Sequence, residues 1–339
     1  ATEFNFAGKI MPSSSMPAWK PDMINNAFGQ DDLYVEIPFI DAMKENGFDC
    51  DPKYMAEKFK NSKFALWHAN FMGRENLLNG IEFPESGSYK NNYHADDIDW
   101  QIEADFLGMM YPGMVNEAAK RAFDIGHIMN YGDGVYGGVF VTAMHSAAYT
   151  AKSLDEIIEA GISVIPKGTQ FRMLIDDVMA SYKAGDTWEE NWRMLENKWA
   201  KTDLCPELPG VSNIDAKLNS GYILIGLLYG EGDFEKTIII STRCGQDSDC
   251  NPSSAASILG NFYGAEKIPE KYKSGLDKNG KKFEYNQQNR NYSCTNYDLE
   301  FDYIYDISGK YPAIRGFDMM NYNPLYGWED GSTERLIDW

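Results

Sequence analysis

The sequence has no uninterrupted apolar run of about 18 residues, so no transmembrane helix is expected. Lysine and arginine are scarce against aspartate and glutamate, 31 to 51, which leaves a formal charge of -20. Holding a nucleic-acid backbone needs clustered cations that release counterions, so a nucleic-acid partner is excluded. Five cysteines (Cys50, Cys205, Cys244, Cys250, Cys294) show no CxxC spacing, which argues against a structural zinc site and a disulfide framework; buried free thiols are expected instead. The four histidines (His68, His94, His127, His145) are isolated in sequence and form no HExxH-like pair. That argues against a histidine-built metal site. Alternating strand patterns are scarce too.

What is present is helical punctuation. Ser153 with Glu156, and Thr187 with Glu190, are capping boxes in front of periodic apolar runs: Leu154, Ile157 and Ile158 in one, Trp188, Trp192, Leu195 and Trp199 in the other. Segments 115–129, 138–151 and 170–183 carry the same 3.6-residue period. An all-α fold follows. The run Thr237-Ile238-Ile239-Ile240 conflicts with it, since β-branched residues favour strands. Near residue 270 the composition shifts, and 271–292 is rich in Lys, Gly, Asn and Gln, as in an irregular surface segment. The expected organisation is one helical domain over 1–270 and an irregular C-terminal extension over 271–339.

Two acidic clusters stand at the mouths of expected helices. Gly29-Gln30-Asp31-Asp32 precedes the apolar positions Leu33, Ile37, Phe39, Ile40 and Met43. Asp247-Ser248-Asp249-Cys250-Asn251-Pro252 precedes a small-residue stretch, with Asn251 suited to the N-cap and Pro252 to the first helical position. A single carboxylate pair at a helix start is explained by the helix dipole alone. Two such clusters, if their turns converge, supply four carboxylates that could hold one or two hard cations such as Mg2+ or Ca2+, which prefer oxygen ligands. In the segment 97–105, Gln101 and Asp105 share a helix face while Glu103 turns away, which makes solvated carboxylates the plain expectation; the functional alternative gives Asp97, Asp99 or Asp105 a pocket role. Trp67, Trp100 and Tyr136 are expected in the core, and His68 and His94 as hydrogen-bonded structural residues.

The order of these motifs resembles the ADP-ribosylglycohydrolase family, whose ligands lie in an early Thr-Asp-Asp-Thr and a late Asp-x-Asp-Thr-Asn. Asp31 and Asp32 fall on the first pair, Asp247 and Asp249 on the second. The helix at 255–264, with its Gly-Asn-Phe-Tyr-Gly ending, and the loop Tyr131-Gly132-Asp133-Gly134-Val135-Tyr136-Gly137-Gly138 are also similar to family segments. The span 28–270 carries the resemblance. It implies an orthogonal helical bundle and hydrolysis of ADP-ribosyl-type N- or O-glycosidic bonds in a small molecule, with one or two ions of Mg2+, Mn2+ or Ca2+. Asp31, Asp32, Asp247 and Asp249 would be the ligands, Asp32 and Asp247 also catalytic, and Asp97, Asp133, Gly134, Tyr136 and Asn251 would bind substrate. A neutral-glycan glycosidase and a catalytically silent ligand-binding module are the alternatives.

Gln30, Leu33 and Cys250 stand where the family has Thr, and only Gly8-Lys9-Ile10 echoes its first helix. Residues 309–322 and 333–339 resemble the opening strand and helix of family 26 glycoside hydrolases, a stretch too short for the roughly 250 residues of a (β/α)8 barrel.

Overall fold

The computed structural model describes residues 8–16, 31–202 and 214–273, with two short strands, β1 (Glu284–Asn286) and β2 (Asn291–Ser293). In chain order the helices are α1 (Asp31–Tyr34), α2 (Glu36–Asn46), α3 (Pro52–Lys60), α4 (His68–Leu78), α5 (Asp99–Glu103), α6 (Asp105–Met110), α7 (Val115–Gly126) and α8 (Asp133–Ala148). Then follow α9 (Leu154–Ser163), α10 (Gln170–Ala184), α11 (Trp188–Trp199), α12 (Ala216–Gly230), α13 (Phe234–Arg243), α14 (Cys250–Tyr263) and α15 (Glu270–Lys273). The described residues are thus predominantly helical, as the periodicity requires. β1 pairs with β2 antiparallel, Glu284 opposite Ser293. The segment that resembles a glycoside hydrolase lies outside the described residues.

Two helices are buried on almost every side and form the centre. In α8 only Tyr136 escapes full burial, and in α12 only Tyr229. A helix that is apolar all round belongs in a core, and the others pack about these two with one face each. Glycine sets how closely they approach. Trp100 of α5 is fully buried, its indole nitrogen donating to the Ala122 carbonyl at 2.8 Å. A β-carbon on Gly138 would lie 2.2 Å from the Trp100 ring, and one on Gly126 would lie 2.5 Å from it.

The same device settles the conflict at 237–240. Gly226 and Gly230, one turn apart on α12, lie against Ser241 and Thr237 of α13, so the second helix nests closely on the first. Asp233 caps it, accepting the Lys236 amide at 2.7 Å. Tertiary packing and a cap outweigh the strand preference of the isoleucines, which is worth only about 1 kcal/mol per residue.

The capping box at Thr187 is complete: its hydroxyl accepts the Glu190 amide at 3.3 Å, and Glu190 accepts the Thr187 amide at 2.8 Å. At Ser153 the returning carboxylate of Glu156 takes the amide of Lys152, one residue upstream. The start of α14 differs from expectation. Asp249 is the N-cap residue and Cys250 the first helical one, because the Asp247 carboxylate accepts the Cys250 amide at 3.0 Å and starts the helix early. Pro252 then sits in the first turn, where a missing N–H leaves no intrahelical bond unmade.

Candidate active site

The late acidic turn is pinned from the central helix. Asn219 of α12 accepts the Asp247 amide at 3.2 Å and the Asn251 side-chain nitrogen at 2.7 Å through one oxygen, while its own nitrogen donates to Gln246 at 2.7 Å. Gly245 and Gln246 both adopt positive φ, 88° and 46°, which folds the chain back before Asp247. Asp247, Asp249 and Cys250 are buried, and one ligand-type atom from each lies within 4.8 Å of the others. The early cluster meets this turn: the Cys250 thiol points to the Asp32 carboxylate, with sulfur and oxygen 4.0 Å apart. Asp31 opens α1, and its side chain lies outside the described residues, as does Gln30.

Both carboxylate oxygens of Asp249 are buried without a hydrogen-bond partner among the described residues. Burying a carboxylate unpaired costs several kcal/mol, and buried charges are paired or bind metal. A divalent cation therefore fits this turn.

Beside it, Asp215 caps α12 by accepting the Leu218 amide at 2.9 Å and also receives the buried ammonium of Lys217. The same ammonium lies 3.8 Å from Asp133 at the start of α8. Burial pushes the Asp133 carboxyl up to about 6 even so, because desolvation outweighs Lys217 and the carboxylates of Asp215 and Asp96 add to it. Tyr136 stands one turn along, half-buried between Phe123 and Phe171.

Residues 2–293 match the family model for ADP-ribosylglycohydrolase. The chain belongs to the ADP-ribosylglycohydrolase family. It is a hydrolase of that family, and the match reaches both upstream and downstream of the span carried by the motifs. No curated protein matches it significantly. Among the described residues no helix is long and apolar enough to cross a membrane.

In this glycohydrolase, several residues take up positions that sequence reasoning did not foresee. Asp97 is buried, with one oxygen accepting the Ile214 amide at 3.1 Å and the other facing Nδ1 of His68 at 2.9 Å and Nδ1 of His94 at 2.7 Å. Asp97 is thus occupied by its own protein. The partly exposed His68 is the member of this trio nearest solvent. His68 and His94, isolated in sequence, meet Asp97 in a group whose ligand atoms could hold a metal ion. Their pairing depends on the backbone of His68, at a φ of 42°, and on Asn92, which accepts the His94 amide at 2.9 Å. Neither is visible in spacing.

The carboxylates expected on a solvated face are buried. Glu103 accepts the Asn70 side chain, Gln101 accepts the Ser220 hydroxyl at 2.6 Å, and Asp99 accepts the Asn70 amide at 2.9 Å. Burial holds Asp99 up at about 6, with His68 opposing and Asp97 adding. Gly134 is a packing residue whose missing β-carbon makes room for the Ala95 carbonyl, and its amide donates to Tyr131 at 3.2 Å. Asn251 keeps a buried side-chain oxygen without a hydrogen-bond partner among the described residues. Cys50, Cys244 and Cys250 are buried thiols that form no disulfide among the described residues; Cys205 and Cys294 lie outside the described residues. His127 bonds to the Phe123 carbonyl and His145 to Asn261, both structural. Trp100 is core.

Proposed function

We propose that the protein hydrolyses ADP-ribosyl-type N- or O-glycosidic bonds with a divalent cation held by Asp31, Asp32, Asp247 and Asp249. The observation that carries this reading is Asp249, whose two carboxylate oxygens are buried without a hydrogen-bond partner among the described residues, in a turn that touches Asp32 through Cys250. When bound, the ion, of which Mg2+, Mn2+ and Ca2+ are the hard-oxygen candidates, supplies a Lewis acid and a template for sugar hydroxyl and water.

The chain's own residues supply the rest. Asp32 and Asp247 take a proton from the attacking water. Asp133 holds a proton at mildly acidic pH and donates it as a hydrogen bond to a sugar hydroxyl, with Lys217 behind it. Tyr136 offers a ring face, and the side-chain oxygen of Asn251, without a partner among the described residues, accepts from the substrate. Asp97 acts through His68 and His94, which it orients. The transition state has oxocarbenium character, so the carboxylates around the anomeric carbon stabilise developing positive charge.

The test is turnover of ADP-ribosyl-arginine, ADP-ribosyl-serine and poly-ADP-ribose, alongside pentose and hexose glycosides, with Mg2+ or Mn2+ added. Release of ADP-ribose that stops with EDTA and in Asp249→Ala is the expected result. Cleavage of neutral glycosides alone overturns it.

A further inference from the structure

Cys250 differs from the other described thiols in what surrounds it. Cys244 is enclosed in the hydrophobic core, and Cys50 points to the Asp51 carbonyl at 3.8 Å. Cys250 instead faces carboxylates: Asp32 at 4.0 Å, with Asp247 and Asp249 in the same 4.8 Å group. A neutral thiol cannot balance the charge of Asp249, whose oxygens are buried without a hydrogen-bond partner among the described residues. A divalent ion can, and sulfur is then among the nearest donors to it.

The distance between Cys250 and Asp32 suits two donors to one ion. Zinc binds sulfur at about 2.3 Å and carboxylate oxygen at about 2.0–2.2 Å, so two donors on one ion lie at most ~4.5 Å apart. The contact of 4.0 Å between Cys250 and Asp32 is inside that limit. The family motif has Thr at this position, a hard oxygen; sulfur is a soft donor that Mg2+ and Ca2+ disfavour and Zn2+ and Co2+ accept.

We propose that the Cys250 sulfur is a direct metal ligand and turns the preference of this site from Mg2+ and Ca2+ toward borderline ions such as Zn2+ and Co2+. The inference rests on the reading that the acidic turns hold a divalent cation. Binding replaces the S–H bond with a sulfur–metal bond and releases one proton to solvent, with no change in oxidation state.

The experiment strips the full chain with EDTA, reloads it with Co2+ and records its absorption. A sulfur-to-cobalt charge-transfer band in the near ultraviolet is expected, displaced by Zn2+ but not by the same concentration of Mg2+. Cys250→Ser and Cys250→Thr lose the band and bind Co2+ about tenfold or more weakly, as expected when a soft ligand is removed. Bound Co2+ without the band overturns the proposal and leaves an oxygen-only site standing, whereas no Co2+ binding at all removes the metal site itself. A band that survives in both variants places the sulfur elsewhere and also overturns it. If the variants fail to fold, X-ray absorption on the unaltered Zn2+-loaded chain decides: a sulfur neighbour about 2.3 Å from zinc supports the assignment, and an oxygen-only shell defeats it.

Discussion

The side-chain oxygen of Asn219 accepts the backbone amide of Asp247 at 3.2 Å, tying the central helix α12 to the turn that carries the late acidic motif. The same oxygen holds Asn251, so one buried amide fixes both ends of that turn. Asn219→Ala removes an acceptor shared by two donors. The expected stability loss is about 1–3 kcal/mol. Metal affinity should fall about 10–100-fold, as when the supports of metal ligands are removed. Urea unfolding and calorimetric titration with Mn2+ and Zn2+ measure the two effects, and a destabilised variant with unchanged metal affinity would separate the pin from the site.

Gly138→Ala tests the packing of the central helix. The new methyl would stand 2.2 Å from a Trp100 ring that is buried and tied to the Ala122 carbonyl, so the ring has nowhere to go. Overpacking of this kind costs typically 1–3 kcal/mol. A lower melting temperature and altered near-ultraviolet circular dichroism are expected; a variant as stable as the parent would mean that the contact relaxes freely.

These two residues mark the boundary of what the sequence discloses. Helix starts were legible because a capping residue lies three positions from the amide it holds, as at Thr187, and the acidic motifs because their residues are adjacent. Asn219 was not legible, since its partners are 28 and 32 positions away. Nor were the burial of Asp99 and Glu103 or the meeting of His68 with His94, which follow from how α4 and the loop before α5 lie together. A local rule favours Asn251 and Pro252 as the start of α14, while the Asp247 carboxylate nucleates the helix earlier.

Asp99→Asn should stabilise the protein near neutral pH and not in acid. Burial raises the Asp99 carboxyl from 3.8 to about 6. Between those values the folded state keeps a proton that the unfolded chain has lost, so stability falls as pH rises through that window. Above it the full penalty of the buried charge applies, worth up to roughly 3 kcal/mol. Asparagine stays neutral and still offers an oxygen to the Asn70 amide. Melting curves at about pH 7.5 and about pH 4 should show a gain for the variant at the first and none at the second. A gain of equal size at both would rule out titration as its source.

Asp249→Asn should change stability in opposite directions with and without metal. In the metal-free chain the carboxylate is a buried charge whose oxygens have no hydrogen-bond partner among the described residues, and neutralising it removes a desolvation cost. The apo variant is therefore expected to melt higher than the apo parent. With a saturating divalent ion the order reverses, because only the parent gains the binding free energy, about 2.7 kcal/mol when the ion stands at 100 times its dissociation constant. If Asp249 served only the local turn, replacement by asparagine would move both curves the same way. Thermal denaturation in EDTA and again in excess Mn2+ or Zn2+ distinguishes the two cases, and parallel shifts would end the assignment of Asp249 as a ligand.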